Sequence, residues 1–390
     1  MLDGQRTSRS QYASAVPNSS PTRVLANDFA RQWQDIDDDA LAAVDRVGHS
    51  GWLVLGEEVR AFEHELAAWW GVPHAVGVAS GLDALEIALR CADLPQGARV
   101  LTTPLTAFAT TLAIVRAGAK PVWCDVDETG GLDLDQVDAA LRADRSIRAV
   151  MPVHLYGHPL DPTGLERLAV EHDVVVIEDC AQSAGAERDG KPTGLAGLAA
   201  GTSLYPTKNL GAMGDGGVLL TSDEAIAEWA RRLRNYGQGA QYEHVELGLN
   251  SRLDELHAAV LRSAMLPRLD RWLVRRTEIA SRYTEALRES RLRPVLAAGG
   301  NSAHHLFPVE VLDLDPGAIR EQIVQRGVAV GRHYPIVCPD QPAVQSSGTI
   351  AGDLVVARQL AERELSLPIH PYMEDHEVDI VIEACLEVCA

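Results

Sequence analysis

The chain has 390 residues, enough for two packed units, and 46% of them are hydrophobic, which provides for a sizeable core. Its 35 Lys and Arg face 55 Asp and Glu, a formal net charge of -20. This balance lacks the concentrated positive charge that a nucleic-acid partner needs, although local arginines and helix N-termini can still take an anionic substrate. Six scattered cysteines, Cys91, Cys124, Cys180, Cys338, Cys385 and Cys389, form no CxxC pair, so no zinc or redox motif and no metal site is expected. No apolar run is long enough to span a bilayer and no secretory h-region opens the chain, so the expected location is a reducing cytoplasm, with no membrane partner.

Residues 1–24 are rich in Ser, Asn, Pro, Gln and Arg without an apolar period, and read as a disordered tail. A helix is expected from Asp38, because three aspartates near its start suit the helix dipole. A second opens at Glu57, with Val59, Phe62, Leu66 and Trp69 at helical spacing, and ends at Gly71 and Pro73. A sustained alternation follows: strands at His74–Ala79, Arg99–Thr103, Pro121–Cys124, Ile147–Val153 and Val174–Ile177, with helices at Leu82–Leu89, Phe108–Ala117, Leu134–Leu141 and Pro162–Glu171 between them. Such alternation predicts an α/β fold with a mostly parallel sheet covered by helices on both faces. A helix is expected at Asp223–Asn235, and a long helical stretch at Leu253–Leu287 that Pro267 interrupts. Further on come a strand at His304–Val311, a helix at Ala318–Gln325, a strand at Val328–Arg332, and helices at Leu354–Glu364 and Asp375–Cys389. The expected division is a large unit over residues 25–265 and a smaller C-terminal α+β unit over residues 266–390.

Ligands of such sheets bind beyond the carboxyl ends of the strands. At the first of these ends, Ser80-Gly81-Leu82 is a small turn entering a helix, where free backbone N–H groups suit a phosphate; a plain cap by Ser80 or Asp83 is the alternative. Phe108 follows the next strand and is placed either to stack on a flat ring or to pack in the core. After Ile177, Glu178-Asp179 puts a carboxylate at a buried strand end, where it needs a cationic partner; a protonated ring nitrogen, an arginine or a helix N-terminus each meets that need. Lys208 stands in Ser203-Leu204-Tyr205-Pro206-Thr207-Lys208-Asn209-Leu210-Gly211, where a strand meets a glycine-rich turn, and no other lysine follows Lys191. A partly desolvated lysine has a depressed pKa and can form a Schiff base, whereas a solvated one beside a turn has no such role. Together, a phosphate cradle, a ring stacker, an acid for a ring nitrogen and an amine for an aldehyde match the needs of pyridoxal 5′-phosphate.

The sequence also resembles the DegT/DnrJ/EryC1/StrS sugar aminotransferases, a branch of the type I pyridoxal-phosphate fold. The resemblance runs from about Ala26 to Cys389. Its motifs are Leu55-Gly56-Glu57-Glu58-Val59, Ser80-Gly81-Leu82-Asp83-Ala84-Leu85, Pro152-Val153-His154-Leu155-Tyr156-Gly157 and Glu178-Asp179. They continue with Ser203 to Gly217, Gly248-Leu249-Asn250-Ser251-Arg252-Leu253-Asp254-Glu255, His333-Tyr334-Pro335 and Leu365-Ser366-Leu367-Pro368-Ile369-His370-Pro371.

The resemblance implies roles. Lys208 would hold the cofactor covalently and move the proton between substrate carbon and cofactor. Asp179 would keep the ring nitrogen protonated, Phe108 would stack on the ring, and Gln182 would lie beside the ring oxygen. Gly81 and Leu82 would bind the phosphate by backbone N–H groups and Ser203 by its hydroxyl. Asn250 would reach the phosphate of a neighbouring subunit's cofactor, which makes a homodimer with shared sites necessary. His333, Tyr334 and the 236–250 loop would contact the sugar. The implied reaction moves an amino group from L-glutamate to a nucleotide-linked, dTDP-type keto-6-deoxy sugar, in biosynthesis of an antibiotic or surface glycan. A keto-cyclitol such as scyllo-inosose is the alternative acceptor, and a cofactor-dependent sugar dehydratase the alternative enzyme. Dehydratase members carry histidine at the lysine position; this chain keeps Lys208. It departs from many relatives at Leu82, Ala107 and Ala184, where threonine, threonine and histidine are frequent.

Overall fold

The computed structural model describes residues 24–389; the expected tail, apart from Val24, lies outside them. Val24 itself is buried and pairs with Val328. In chain order the first elements are α1 (Phe29–Ser50), α2 (Glu57–Trp70), β1 (His74–Val78), α3 (Gly81–Cys91), β2 (Arg99–Thr102), α4 (Phe108–Arg116), β3 (Lys120–Cys124), α5 (Leu134–Ala143), β4 (Ile147–Met151), α6 (Pro162–His172) and β5 (Val175–Asp179). A small hairpin, β6 (Glu187–Arg188) and β7 (Lys191–Pro192), precedes β8 (Ala199–Ser203), β9 (Gly217–Thr221) and α7 (Glu224–Leu233). A second hairpin, β10 (Gln238–Ala240) and β11 (Glu243–His244), leads to α8 (Glu255–Val260) and α9 (Leu269–Leu287). The remainder is β12 (Leu292–Pro294), β13 (Phe307–Val311), α10 (Pro316–Gln325), β14 (Thr349–Ala351), α11 (Val355–Arg363), β15 (Glu364–Leu367) and α12 (Asp375–Cys389).

The main sheet runs β1-β9-β8-β5-β4-β2-β3-β14. Every neighbouring pair in it is parallel except the two made by β9. Its central strands are apolar on both faces, as a sheet covered by helices on either side requires. One apolar layer packs α3 and α7 on the sheet; another packs α5 and α6. A third joins α1, α2 and α8. The smaller sheet, β12-β13-β15, packs against α9, α10 and α12 around Tyr283, Phe307 and Ile323.

Local chemistry explains where the helices begin. Asp133, Asp161, Asp223, Asp254 and Asp315 each occupy an N-cap and accept from first-turn N–H groups, and Pro162 and Pro316 follow their aspartates at the first helical position. The first helix starts at Phe29 rather than Asp38, because Asp28 caps it by accepting from the Arg31 N–H at 2.9 Å. The later aspartates lie within that helix, where Asp39 meets Arg268 at 2.8 Å instead of serving the helix dipole.

Two other expectations are revised. The stretch from Val328 makes single bridges, Val328 to Val24 and Gly331 to Ser366, not a strand. The helix expected to end at Glu364 stops at Arg363, and Glu364 opens β15, which pairs with β13. Pro267 does interrupt the long helical stretch: a π-turn over Leu261–Met265 and a 3-10 turn over Leu266–Arg268 separate α8 from α9. β14, from the C-terminal part of the chain, adds to the main sheet beside β3.

Candidate active site

The carboxyl ends of β5, β8 and the turn after β1 meet at one place. Ser80 caps α3, its hydroxyl accepting from the Asp83 N–H at 3.1 Å. The N–H groups of Gly81 and Leu82, in the first turn, have no helical acceptor. The backbone is packed tightly around them. A Cβ on Gly81 would come within 2.7 Å of the Ser203 Cβ, and one on Gly217 within 2.2 Å of the Ser80 carbonyl carbon. Ser80 thus caps the helix, and the backbone of Gly81 lies close against Ser203. Leu82 is half-buried and packs with the α3 layer.

Asp179 ends β5 and is buried. Its Oδ2 accepts from the Thr110 hydroxyl at 2.7 Å and its Oδ1 from the Ala181 N–H at 3.0 Å. Burial pushes its pKa up; the Ala181 N–H, Thr110 and the Lys208 ammonium oppose that rise. Thr110, one turn into α4, is held in turn by the Thr106 hydroxyl at 2.9 Å. Neither threonine stood out in the sequence, because a threonine in a helix has many bland uses; their signal is the i, i+4 spacing beside Phe108. Phe108 opens α4, half-buried, and packs on Trp123, Cys338 and Val344.

Lys208 follows β8 and lines a cavity of about 320 Å³ with Gln182, Tyr205, His305, His333 and Tyr334. Burial lowers its pKa to about 8, with Asp179 acting in the opposite sense. An amine with that pKa is partly neutral near neutral pH, as a nucleophile for an aldehyde must be. Gln182 is buried and spans the cavity floor. Its Oε1 accepts from the Tyr156 N–H at 2.6 Å and its Nε2 donates to the Tyr334 hydroxyl at 3.2 Å. The Tyr156 hydroxyl donates to the His333 carbonyl at 2.8 Å, closing the loop. Opposite, Asn209 donates to the Ala303 carbonyl at 2.8 Å and contacts His305 Nδ1 at 3.3 Å.

Asn250 precedes Ser251, whose hydroxyl accepts from the Ala79 N–H at 3.0 Å and donates to Asp83 at 2.8 Å. Asn250 is exposed, bridges to Asn235, and does not line this cavity. Ala184 is buried in the apolar layer of α1 and α2. The buried group His154, Glu178 and Cys180 is placed like a set of metal ligands, but its polar atoms are committed to the fold. Glu178 accepts from the Gly194 and Ala196 N–H groups and meets His154 at 2.8 Å, while His154 Nδ1 accepts from Leu160. Among the described residues no helix is long and apolar enough to cross a membrane.

The DegT/DnrJ/EryC1/StrS aminotransferase family model matches residues 34–386. The chain belongs to this family. A dTDP-3-amino-3,4,6-trideoxy-alpha-D-glucose transaminase from Streptomyces venezuelae is 39% identical over 368 residues, covering 94% of this chain and 96% of the relative. The X-ray structure of S. venezuelae DesV in complex with a ketimine intermediate superposes with a TM-score of 0.89 at 39% identity, over 94% of this chain and 98% of that one. NtdA from Bacillus subtilis, solved with bound cofactor PMP, gives a TM-score of 0.87 at 26% identity, over 95% of this chain and 86% of its own. As a DegT/DnrJ/EryC1/StrS aminotransferase, the chain has the type I fold expected from its alternating elements, and it is an enzyme.

Proposed function

We propose that the protein is a pyridoxal-phosphate-dependent aminotransferase that takes an amino group from L-glutamate and delivers it to a nucleotide-linked keto-6-deoxy sugar. The observation that carries this reading is Lys208, a buried amine held near pKa 8 that lines the cavity within electrostatic reach of buried Asp179. The residues fit the cofactor on two independent points. The turn at Gly81 has no room for a side chain, so a phosphate can approach the backbone N–H groups of Gly81 and Leu82, with the Ser203 hydroxyl beside them. Asp179 is a buried carboxylate whose cationic partner a protonated pyridine nitrogen would supply.

When bound, the cofactor supplies an electron sink for a carbanion next to nitrogen. The chain's own residues do the rest. Lys208 would hold the cofactor's aldehyde and, when free, would serve as the base and acid that moves a proton at the substrate carbon. Asp179, fixed by Thr110 and Ala181, would keep the ring nitrogen charged. Phe108, seated on Trp123, would stack on the ring, and Gln182, fixed by Tyr156, would donate to a ring oxygen. His333 and Tyr334 line the cavity and would contact the sugar.

A homodimer belongs to the same reading. Asn250 lies on an exposed segment where Tyr242, Val245 and Leu247 leave large apolar surface in water, the kind of patch a second subunit covers. Dimerisation would bring Asn250 to the partner's phosphate site. A cytoplasmic location fits the six free cysteines.

The test is spectroscopic. The purified holoenzyme is expected to be yellow, to bleach with L-glutamate, and to recover its colour with the right member of a panel of nucleotide-linked keto sugars and keto-cyclitols. Lys208→Ala is expected to lose amino transfer by at least about 10³-fold. Dehydratase turnover persisting in that variant would sink the assignment.

A further inference from the structure

A buried carboxyl, a buried hydroxyl and a half-buried imidazole stand in series at the cavity wall, which His333 and Ser366 line. His333 Nδ1 is 2.8 Å from the Ser366 Oγ. The Ser366 hydroxyl contacts Glu364 Oε1, and Glu364 Oε2 accepts from the His333 backbone N–H at 2.7 Å. Both oxygens of Glu364 are therefore committed, one to the backbone and one to the relay. Glu364 and Ser366 belong to β15, at the edge of the small sheet; His333 lines the cavity with Lys208.

We propose that Glu364, Ser366 and His333 form a proton relay into the active-site cavity, and that Glu364 sets which ring nitrogen of His333 carries the proton. This rests on reading the cavity as the amino-transfer site. With Glu364 ionised, Ser366 donates to Oε1 and accepts from His333 Nδ1–H, so Nε2 offers a lone pair. When Nε2 takes a proton, the Nδ1 proton passes to Ser366 and the serine proton passes to Glu364. One proton has then left the cavity and resides on the carboxyl, and the imidazole stays neutral. The reverse step returns it. Exchange of a carbonyl oxygen for an amine nitrogen calls for such a group, because the protons lost by nitrogen end on the departing water.

The electrostatics agree. Burial raises the Glu364 pKa to about 7, against the opposing pull of Ser366, the His333 N–H and the Arg332 guanidinium. Burial and the Lys208 ammonium lower the His333 pKa to about 4, so His333 remains neutral while Glu364 titrates. The Tyr156 and Tyr334 phenols also act on this region, and His305, itself held neutral, stands on the His333 side. Across the sheet, Glu310 is opposite Glu364 but is matched by Arg293 and Arg363.

The test uses apo protein with 15N-labelled histidine, followed by NMR between about pH 5.5 and 9. The His333 signals are identified by their loss in His333→Gln. The wild type is expected to pass from Nε2–H to Nδ1–H with a midpoint near 7. In Glu364→Gln the amide oxygen keeps the backbone N–H and the NH₂ group donates to Ser366, so His333 is expected to stay Nε2–H throughout. Ser366→Ala is expected to abolish the switch and Ser366→Thr to restore it. An unchanged midpoint in Glu364→Gln or Ser366→Ala, or an imidazolium at neutral pH, overturns the relay. In single-turnover transfer to the acceptor at about pH 8, Glu364→Gln is expected to lose about 10-fold in rate with little change in KM. If the wild type transfers no amine to any acceptor while the NMR switch persists, the proposed function fails and the relay stands.

Discussion

The Gln182 side-chain amide donates to the Tyr334 hydroxyl at 3.2 Å, and so joins the segment after β5 to the loop of the smaller unit that covers the cavity. Gln182 also accepts from the Tyr156 N–H, and Tyr156 reaches back to the His333 carbonyl. Gln182, Tyr156 and the His333–Tyr334 segment are thereby one hydrogen-bonded ring. Tyr334→Phe removes one member and leaves the buried Gln182 amide short of an acceptor. The expected effect is a rise of about 5-fold in KM for the acceptor, the worth of about 1 kcal/mol, with KM for L-glutamate changed less. Steady-state kinetics with each substrate varied in turn separates the two.

Thr110 is expected to matter out of proportion to its size. Thr110→Val keeps the shape and takes the hydroxyl from Asp179 Oδ2, leaving a buried carboxylate oxygen unsatisfied. The expected cost is about 1–3 kcal/mol of folding stability in the apo protein at neutral pH. Chemical denaturation measures it; a change under about 0.5 kcal/mol would show that Asp179 finds another donor.

At the turn after β1, Gly81→Ala would place a methyl 2.7 Å from the Ser203 Cβ and 3.0 Å from its Cα, and that backbone has little room to yield. The expected outcome is cofactor affinity reduced by about 10-fold or more, or by over about 1.4 kcal/mol. Gly48→Ala, where an added Cβ meets nothing within 4 Å, is the control and should leave affinity unchanged. Titration of both apo variants with pyridoxal phosphate decides the matter.

Glu364 ties stability to pH. Its folded pKa, about 7, lies above the ordinary 4.5, so the protonated form is favoured in the fold. Its contribution is fully present below about pH 4.5 and is lost as pH rises through about 7. Glutamine carries no such charge. The stability of Glu364→Gln relative to wild type should therefore rise between about pH 5 and 8, by up to about 3 kcal/mol. Urea unfolding of both apo proteins at the two pH values checks the sign; a falling difference would contradict it.

Much of the fold was legible from β1 to β5, because fully covered parallel strands leave unbroken apolar runs and their helices keep a 3.6-residue period. The helix starts expected at Leu134 and Asp223 fall beside the capping aspartates Asp133 and Asp223. The reading slipped where polar residues had distant partners. Asp39 looked like a dipole partner and proved to serve Arg268. Glu364 looked like a helix end and proved to be a buried strand residue, because its charge is answered by Ser366 and the His333 backbone, neither of them a helix neighbour. β14 was missed because three residues carry too little pattern to show a strand pairing with β3.

For the site, the sequence by itself singled out the chemical parts: a lysine amine, an acid at a strand end and small residues at a helix entrance. Those follow from residue type at strand ends, which local pattern reveals. Only the tertiary structure decided how they act. Burial brings Lys208 to a pKa near 8, because desolvation depends on what the other segments cover. Thr110 finds Asp179 across 69 positions of sequence, and Tyr334 finds Gln182 across 152. Such contacts depend on the strand order β8-β5-β4-β2 and on where the C-terminal segments pack against it, and no local period encodes them.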